Sequence, residues 1–224
     1  MAKINSHQRI NDILLGPLER PALQWLAQQM PAWMTPDILT GIGIAGAAVT
    51  FVSYCLTNLS LHFFWLASLG LVINWFGDSL DGTLARYRHI ERPRYGFFVD
   101  HTIDALSEML IVLGLGLSPL VRFDVACLAL IGYLLMSVLV YVRTYVDGVF
   151  QISYGKIGPT EVRVILVLLN LLPFFVGSWQ IMIAGMPFSL LDLLVSGVAL
   201  ALLLVFLVSV TQKARELAQL ERAL

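Results

Sequence analysis

The feature that most constrains this chain is a stretch, residues 38–77, that contains no Asp, Glu, Lys or Arg. A helix needs about 20 apolar residues to cross the hydrocarbon core of a bilayer, so the stretch is long enough for two crossings. Across the whole chain, 58% of the residues are hydrophobic and 13% are charged, whereas soluble domains have about 25% charged residues. We therefore predict an all-α integral membrane protein.

Six long apolar stretches follow one another along the sequence, and each is predicted to be a membrane-spanning helix. Their continuous apolar character differs from the short alternating segments of a β-barrel. The predicted spans are residues 36–57, 61–86, 96–117, 124–146, 158–177 and 190–211. The predicted organisation is an N-terminal segment (1–35), a six-transmembrane-helix bundle (36–212) and a C-terminal tail (213–224).

The N-terminal segment has a different pattern. Apolar residues recur there at helical spacing among polar ones, and a second short stretch is expected to begin at Pro21. Trp25 and Trp33 are suited to anchoring at a membrane surface, so we predict an amphipathic interfacial helix. The alternative is an N-terminal arm packed on the bundle. The apolar residues at helical spacing are Ile10, Ile13, Leu14 and Leu18, and those sharing one side of the second stretch are Leu23, Leu26 and Met30.

Basic residues are distributed very unevenly relative to the predicted spans. All of the 14 Lys and Arg residues except Arg122 fall on one side of the membrane. Because positively charged loops mark the cytoplasmic side, we expect both termini to be cytoplasmic. The net charge of −1 leaves no basic surplus, so no nucleic-acid partner is expected.

Five acidic residues lie close together in spans two and three, where acidic side chains are costly and usually functional. Those of span two recur at i and i+3, and those of span three at successive i+4 steps, so each set lies on one helix face. We expect these spans to be antiparallel neighbours whose acidic faces meet near the cytoplasmic ends. The five residues are Asp78, Asp81, Asp100, Asp104 and Glu108.

A cluster of carboxylates suggests a cation site, because packed carboxylates repel one another unless a cation lies between them. Oxygen ligands suit Mg²⁺ or Mn²⁺, and two such ions would balance four aspartates and could clamp phosphate oxygens. Arg86 could hold a phosphate bidentately. The alternative interpretation pairs the carboxylates with loop arginines at the membrane edge. A separate acid, Asp192 in span six, is predicted to be a surface residue.

The same region resembles the signature of the CDP-alcohol phosphotransferase family. That signature has two Asp, a Gly, an Ala and an Arg, followed by a second Gly and two further Asp at fixed intervals. All eight fixed positions are present, and the one departure is a loop of nine residues, instead of eight, before the second Gly. The matching residues are Asp78, Asp81, Gly82, Ala85, Arg86, Gly96, Asp100 and Asp104.

The resemblance implies transfer of a phosphatidyl (substituted phosphate) group from a CDP-alcohol to an acceptor alcohol, with release of CMP. It implies that the four aspartates hold two divalent cations and that Asp104 is the general base. The nucleotide would lie against the remaining signature residues, and also beside Asp37 and Thr40, which resemble the family's opening of its first span. Relatives of this type are generally homodimers, for which Gly114 and Gly116 offer small packing residues.

The acceptor alcohol is not fixed by these residues. CDP-diacylglycerol with a small polar acceptor fits the short six-span chain, whereas His101 after the third Asp is similar to the type that transfers choline or ethanolamine phosphate to diacylglycerol. Arg143, Lys156 and Arg163 are candidates for binding a phosphorylated acceptor, and His101 is a candidate acceptor contact. The three basic residues could equally be cytoplasmic anchors.

Two other classes of function compete with the transferase. An ion-coupled transporter would use the acids to bind cations, but transport sites lie near the bilayer midplane between repeated halves, and no repeat is visible here. A catalytically silent scaffold would not need all four aspartates.

Overall fold

The computed structural model describes residues 8–10, 14–147, 149–151, 158–175, 180–183 and 185–222. Within these ranges the chain forms seven α-helices and four short β-strands. The helices are α1 (Gly16–Gln29), α2 (Pro36–Leu56), α3 (Phe63–Tyr87), α4 (Pro93–Leu117), α5 (Phe123–Asp147), α6 (Pro159–Phe175) and α7 (Leu190–Arg222). The strands are β1 (Gln8–Ile10), β2 (Val149–Gln151), β3 (Gln180–Ile183) and β4 (Met186–Ser189). The prediction of an all-α fold is confirmed in its main part.

Four of these helices, α2, α3, α5 and α7, are long and apolar enough to cross a membrane. The protein is therefore an integral membrane protein. Helix α4 has 25 residues but carries several acids, and α6 has 17 residues; their crossing of the membrane stays a prediction. The helices from α2 to α6 begin and end within three residues of the predicted spans, whereas α7 continues beyond residue 211 to Arg222.

Local sequence signals explain where two of these helices begin. The Thr35 hydroxyl accepts a hydrogen bond from the Ile38 amide, with Pro36 at the first helical position of α2, as expected at a helix start. At α7, the Ser189 hydroxyl accepts from the Asp192 amide and the Asp192 carboxylate accepts from the Ser189 amide, which is a capping box. Asp192 is 3% exposed, so its predicted surface position was wrong: it caps a helix and also binds the Arg122 amide.

Helix α2 is central to the bundle because it packs against both α3 and α4. Helices α3 and α4 contact each other less than either contacts α2, so the predicted neighbours meet mainly across α2. Glycines explain the tight α2–α3 contact. An added Cβ on Gly46 would lie 2.8 Å from the carbonyl oxygen of Gly70, and one on Gly77 would lie 2.6 Å from the Cα of Gly43. The two backbones touch where side chains would keep them apart.

The remaining helices complete the bundle around this pair. Helix α5 packs on α4 and α7, and α6 packs on α3. A buried polar chain joins three helices: the Tyr54 hydroxyl donates to Asn170 Oδ1, and Asn170 Nδ2 donates to Ser68 Oγ, each at 3.0 Å. Such satisfied networks fix the relative rotation of packed helices. Strand β1 pairs in parallel with β2, and β3 pairs with β4 as an antiparallel hairpin before α7.

Helix α1 is one continuous helix that contains Pro21, so the prediction of a second stretch opening at Pro21 was wrong. Leu23 and Ala27 are buried against α2 and α3, and these contacts stabilise the helix across the proline. Ile10 lies in β1, and Ile13 falls outside the described residues. The exposed apolar side chains of this segment are Leu14, Leu18, Trp25 and Trp33. The segment packs on the bundle, and its interfacial position stays a prediction.

The glycines expected to support a dimer are used inside the chain. A Cβ on Gly114 would lie 2.9 Å from the Cα of Phe51 in α2, and one on Gly116 would lie 2.7 Å from the Cβ of Ala126 in α5. Both glycines are buried. The argument from these two glycines to a dimer interface was therefore wrong, and the homodimer remains a prediction without support from them.

Candidate active site

A small cleft lies among α2, α3 and α4, and it collects all four signature aspartates. Asp78 and Asp81 come from α3, and Asp100 and Asp104 come from α4. Helix α2 contributes Thr40 to the same cleft. The predicted meeting of the two acidic faces occurs, with α2 completing the wall.

Asp81 is the most buried of the four, with 7% of its surface exposed. Its Oδ2 accepts a hydrogen bond of 2.6 Å from the Thr40 hydroxyl, and its Oδ1 accepts one from the Gly82 amide. Hydrogen bonds to both oxygens fix the orientation of the carboxylate. Thr40 thus lines the cleft and contacts the aspartate, and its place beside a nucleotide stays a prediction.

Asp78 is held by a residue of α6, Arg163. Arg163 Nη2 donates to Asp78 Oδ2 at 2.6 Å, and Arg163 Nε donates to Asn74 Oδ1 at 2.8 Å. Asn74 Nδ2 in turn donates to the carbonyl oxygen of Gly43. Asn74 was missed in the sequence, although it lies one helical turn before Asp78 on the same face.

Asp100, His101 and Asp104 form a group in which one ligand atom from each residue lies within 4.8 Å of the others. His101 Nδ1 is 3.4 Å from Asp100 Oδ2 and 3.9 Å from Asp104 Oδ2. The imidazole stacks on Tyr141 of α5, with ring centroids 5.4 Å apart. This arrangement is a candidate cation site.

Two further observations indicate what the cleft could bind. Asp78 and Asp104 line the same small cleft, and carboxylates brought together in this way repel one another unless a proton or a cation lies between them. The Nη1 of Arg163 is buried and has no hydrogen-bond partner among the described residues, so it can donate to an oxygen atom of a bound ligand. Carboxylate oxygens are the ligands that Mg²⁺ and Mn²⁺ prefer.

Gly82 and Gly96 differ from the glycines of the α2–α3 contact. A Cβ on Gly82 would meet only the guanidinium of Arg86, at 3.2 Å or more, and one on Gly96 would meet nothing within 4 Å. Packing does not require glycine at either position, so both leave space for a ligand. Ala85 is half-buried, and Arg86 is exposed with its guanidinium donating to Thr83 Oγ1.

The other candidates predicted from the sequence are Asp37, Arg143 and Lys156. Asp37, at the start of α2, forms an exposed ion pair of 2.5 Å with Arg92, and this hydrogen bond raises the pKa of Arg92 above its ordinary value. Arg143 pairs with Asp147 within α5 at 3.7 Å and does not line the cleft. Lys156 lies outside the described residues.

Glu108 lies one turn beyond Asp104 on α4, close to Tyr133 of α5. Glu108 was predicted to share the acidic face of span three, but it does not line the cleft. Tyr133 and Tyr141 carried no sequence signal, because nothing along the chain indicates that α5 packs beside the acidic face of α4.

Comparison with known proteins identifies the family. The family model described as CDP-alcohol phosphatidyltransferase matches residues 33–208. Cholinephosphotransferase 1 of Gallus gallus is 30% identical over 177 residues, which cover 74% of this chain and 51% of that protein. Archaetidylinositol phosphate synthase of Pyrococcus horikoshii is 38% identical over 104 residues, which cover 44% of this chain and 55% of that protein. The chain spans about half the length of the curated relatives it matches.

A solved structure shares the fold. The phosphatidylinositol phosphate synthase of Mycobacterium tuberculosis, with CDP-DAG bound, has a TM-score of 0.52 and 21% identity, and covers 87% of this chain and 90% of its own. The resemblance drawn from the aspartate signature is confirmed, because the family match includes all eight signature positions and most of the chain. The chain belongs to the CDP-alcohol phosphatidyltransferase family.

Proposed function

We propose that the protein transfers a substituted phosphate group from a CDP-linked alcohol to the hydroxyl of an acceptor alcohol and releases CMP. The observation that carries this proposal is the cleft in which aspartates of α3 and α4 meet beside glycines that packing does not require. Family membership supports it. The transporter is the weaker alternative, because this cleft lies near the ends of α3 and α4 that precede and follow the basic loop.

The donor would bind along the signature residues. Asp78, Asp81, Asp100 and Asp104 would hold two divalent cations, Mg²⁺ or Mn²⁺, which supply positive charge to the donor's pyrophosphate and to the leaving CMP. Gly82 and Gly96 would leave room for the nucleotide beside Ala85. Arg86 would pair with a phosphate oxygen, for which its exposed position on α3 is suitable. Asp37 and Thr40 would lie at the nucleotide's edge.

Asp104 would be the general base. Its side chain is 36% exposed, so an acceptor hydroxyl in the cleft can reach it. As Asp104 takes the hydroxyl proton, the acceptor oxygen attacks the β-phosphorus in line. The bond from the β-phosphorus to the bridging oxygen breaks, and CMP departs with that electron pair. A hydroxyl is a poor nucleophile until a positioned base removes its proton.

We propose that α4 and α6 also cross the membrane, which gives six spans within residues 36–212. The acids of α4 need not contact lipid, because they face the cleft or α5. The basic loops would place the cleft and both termini in the cytoplasm, with residues 1–35 on the membrane surface and 213–224 as a tail. A bacterial inner membrane and a homodimer belong to the same proposal.

The proposed donor is CDP-diacylglycerol, with a small polar alcohol as acceptor. This choice is supported by the solved synthase that holds CDP-DAG and shares the fold over most of the chain. The second candidate is a CDP-amino alcohol with diacylglycerol as acceptor. It is supported by His101 beside Asp100 and by the cholinephosphotransferase relatives.

A single assay tests the proposal and separates the two donors. Purified protein with Mg²⁺ is incubated with labelled CDP-diacylglycerol and a panel of alcohols, or with CDP-choline or CDP-ethanolamine and diacylglycerol, and CMP release is followed. We expect acceptor-dependent CMP release with CDP-diacylglycerol. Release only from the CDP-amino alcohols would select the second candidate. No CMP from any pair would refute the transferase.

A further inference from the structure

We infer that Arg163 is a positioning residue that holds Asp78 in the orientation needed to bind a divalent cation. The inference rests on the cation site of the proposed function. It differs from the sequence interpretation, in which Arg163 was a candidate for binding a phosphorylated acceptor.

The contacts of Arg163 favour this role. Its side chain is 11% exposed, and two of its three nitrogens are already engaged, one with Asp78 and one with Asn74. A bidentate phosphate contact needs two guanidinium nitrogens on one edge. Only Nη1 lacks a hydrogen-bond partner among the described residues. While Arg163 holds Asp78 and Asn74, it can therefore offer an external phosphate only one nitrogen that is not already engaged.

The contacts also form a continuous path through three helices. Arg163 of α6 binds Asp78 and Asn74 of α3, and Asn74 binds the backbone of Gly43 in α2. Asn74 and Asp78 lie on successive turns of one helix, so the planar guanidinium spans both at once. This geometry fixes the carboxylate of Asp78 with Oδ2 toward α6 and leaves Oδ1 for another ligand.

Two physical effects of removing Arg163 oppose each other. Removing the positive charge of Arg163 also removes its Coulomb repulsion of a bound cation, and this effect alone would strengthen cation binding. Loss of the hydrogen bonds frees the Asp78 side chain, and partners that orient metal ligands typically contribute about 10–100-fold to metal affinity. Because Arg163 makes two directed bonds of normal length in a buried site, we expect the orienting effect to dominate.

The experiment measures Mn²⁺ binding to the purified full-length chain in detergent micelles, by electron paramagnetic resonance of free Mn²⁺. We expect Arg163→Met to weaken Mn²⁺ binding about 10–100-fold. Arg163→Lys keeps the charge but cannot reach Asp78 and Asn74 together, so we expect an intermediate loss. Arg122→Met is the matched control, since Arg122 forms an Arg–Asp pair with Asp124 outside the cleft; we expect wild-type affinity.

Unchanged or tighter Mn²⁺ binding in a folded Arg163 variant would overturn the inference, as would a raised acceptor KM with unchanged Mn²⁺ affinity. If Arg163→Met does not fold, Arg163→Lys decides. A wild-type chain that binds no Mn²⁺ would also overturn it. Mn²⁺ binding needs neither donor nor acceptor, so a wild-type chain that binds Mn²⁺ but releases no CMP would refute only the proposed reaction.

Discussion

The structure allows the effect of Gly77→Ala to be worked out from helix packing to stability and activity. Gly77 lies in α3 one residue before Asp78, where the backbone of α3 touches that of α2. An added Cβ would lie 2.6 Å from the Cα of Gly43 and closer still to Gly43 N and Leu39 O, all backbone atoms that no side-chain rotation can move. The helices must therefore separate.

The size of this separation sets the expected effect. Ordinary van der Waals contact begins at 3.4 Å, so the Cβ–Cα distance must grow by at least about 0.8 Å, and the closer contacts with Gly43 N and Leu39 O require more. Overpacking of this kind costs about 1–3 kcal/mol of folding free energy, which lowers the melting temperature by roughly 2–12 °C for a chain of this size. The same shift pulls Thr40 away from Asp81, whose hydrogen bond joins these two helices. A misplacement of about 1 Å at a catalytic site can cost about 100-fold in rate.

The assay compares thermal unfolding in detergent with CMP release measured well below the melting temperature. Gly41→Ala is the matched control in α2, because its added Cβ meets nothing within 4 Å. Alanine is the better helix former by about 0.5–1 kcal/mol, so the control should unfold at or slightly above the wild-type temperature and keep its rate. If Gly77→Ala and Gly41→Ala unfold at the same temperature and release CMP equally fast, the reasoning about the α2–α3 contact is wrong.

Three further predictions concern the base, the cations and the buried polar chain. Asp104→Asn should abolish CMP release yet keep donor binding in an equilibrium binding assay, because the amide cannot take the acceptor proton; a wild-type rate would remove Asp104 from the base role. Chelation with EDTA should stop CMP release, and added Mg²⁺ or Mn²⁺ should restore it; full activity in EDTA would exclude catalytic cations. Tyr54→Phe leaves Asn170 without its donor, so it should lower the unfolding free energy by about 1–3 kcal/mol in a denaturation experiment with little change in rate; an unchanged stability would mean that the network contributes nothing.

The helices could be predicted from the sequence because apolar length decides where a chain can cross a membrane. The predicted and observed bounds of α2 to α6 agree within a few residues for this reason. Helix α7 was predicted too short. Its apolar stretch ends near residue 211, but backbone hydrogen bonding continues through polar residues to Arg222, and hydropathy does not report on helix beyond the membrane.

The aspartates of the site were predictable because their spacing matches the helical period. What surrounds them was not. Sequence adjacency suggested that α3 and α4 pack together, whereas glycines on facing sides of α2 and α3 allow closer backbone contact than α3 can make with α4. Arg163 is 85 residues from Asp78 in the chain, and no local pattern links them. An ion pair between helices that are far apart in the sequence can be found only from the folded structure.

The same limit explains the errors at Asp192 and at the pair Gly114 and Gly116. An acid near the end of a span and small residues in a span each have several structural uses. Asp192 follows Ser189 at the spacing of a capping box, a signal that was present in the sequence and was overlooked. The two glycines gave no comparable signal, because nothing along the chain tells a face that packs on α2 or α5 from one that packs on a second copy.

The most direct test of the proposed function is CMP release by the purified protein in a mixture that contains CDP-diacylglycerol, a CDP-amino alcohol, diacylglycerol and a panel of small alcohols. The comparison is with Asp81→Asn, which keeps the size of the buried side chain but removes its charge and one of its two hydrogen-bond acceptors. We predict Mg²⁺-dependent CMP release by the wild-type chain and a loss of at least about 100-fold in the variant. Equal release by both proteins, or none by the wild type with any donor, would contradict a cation-assisted transfer at this cleft.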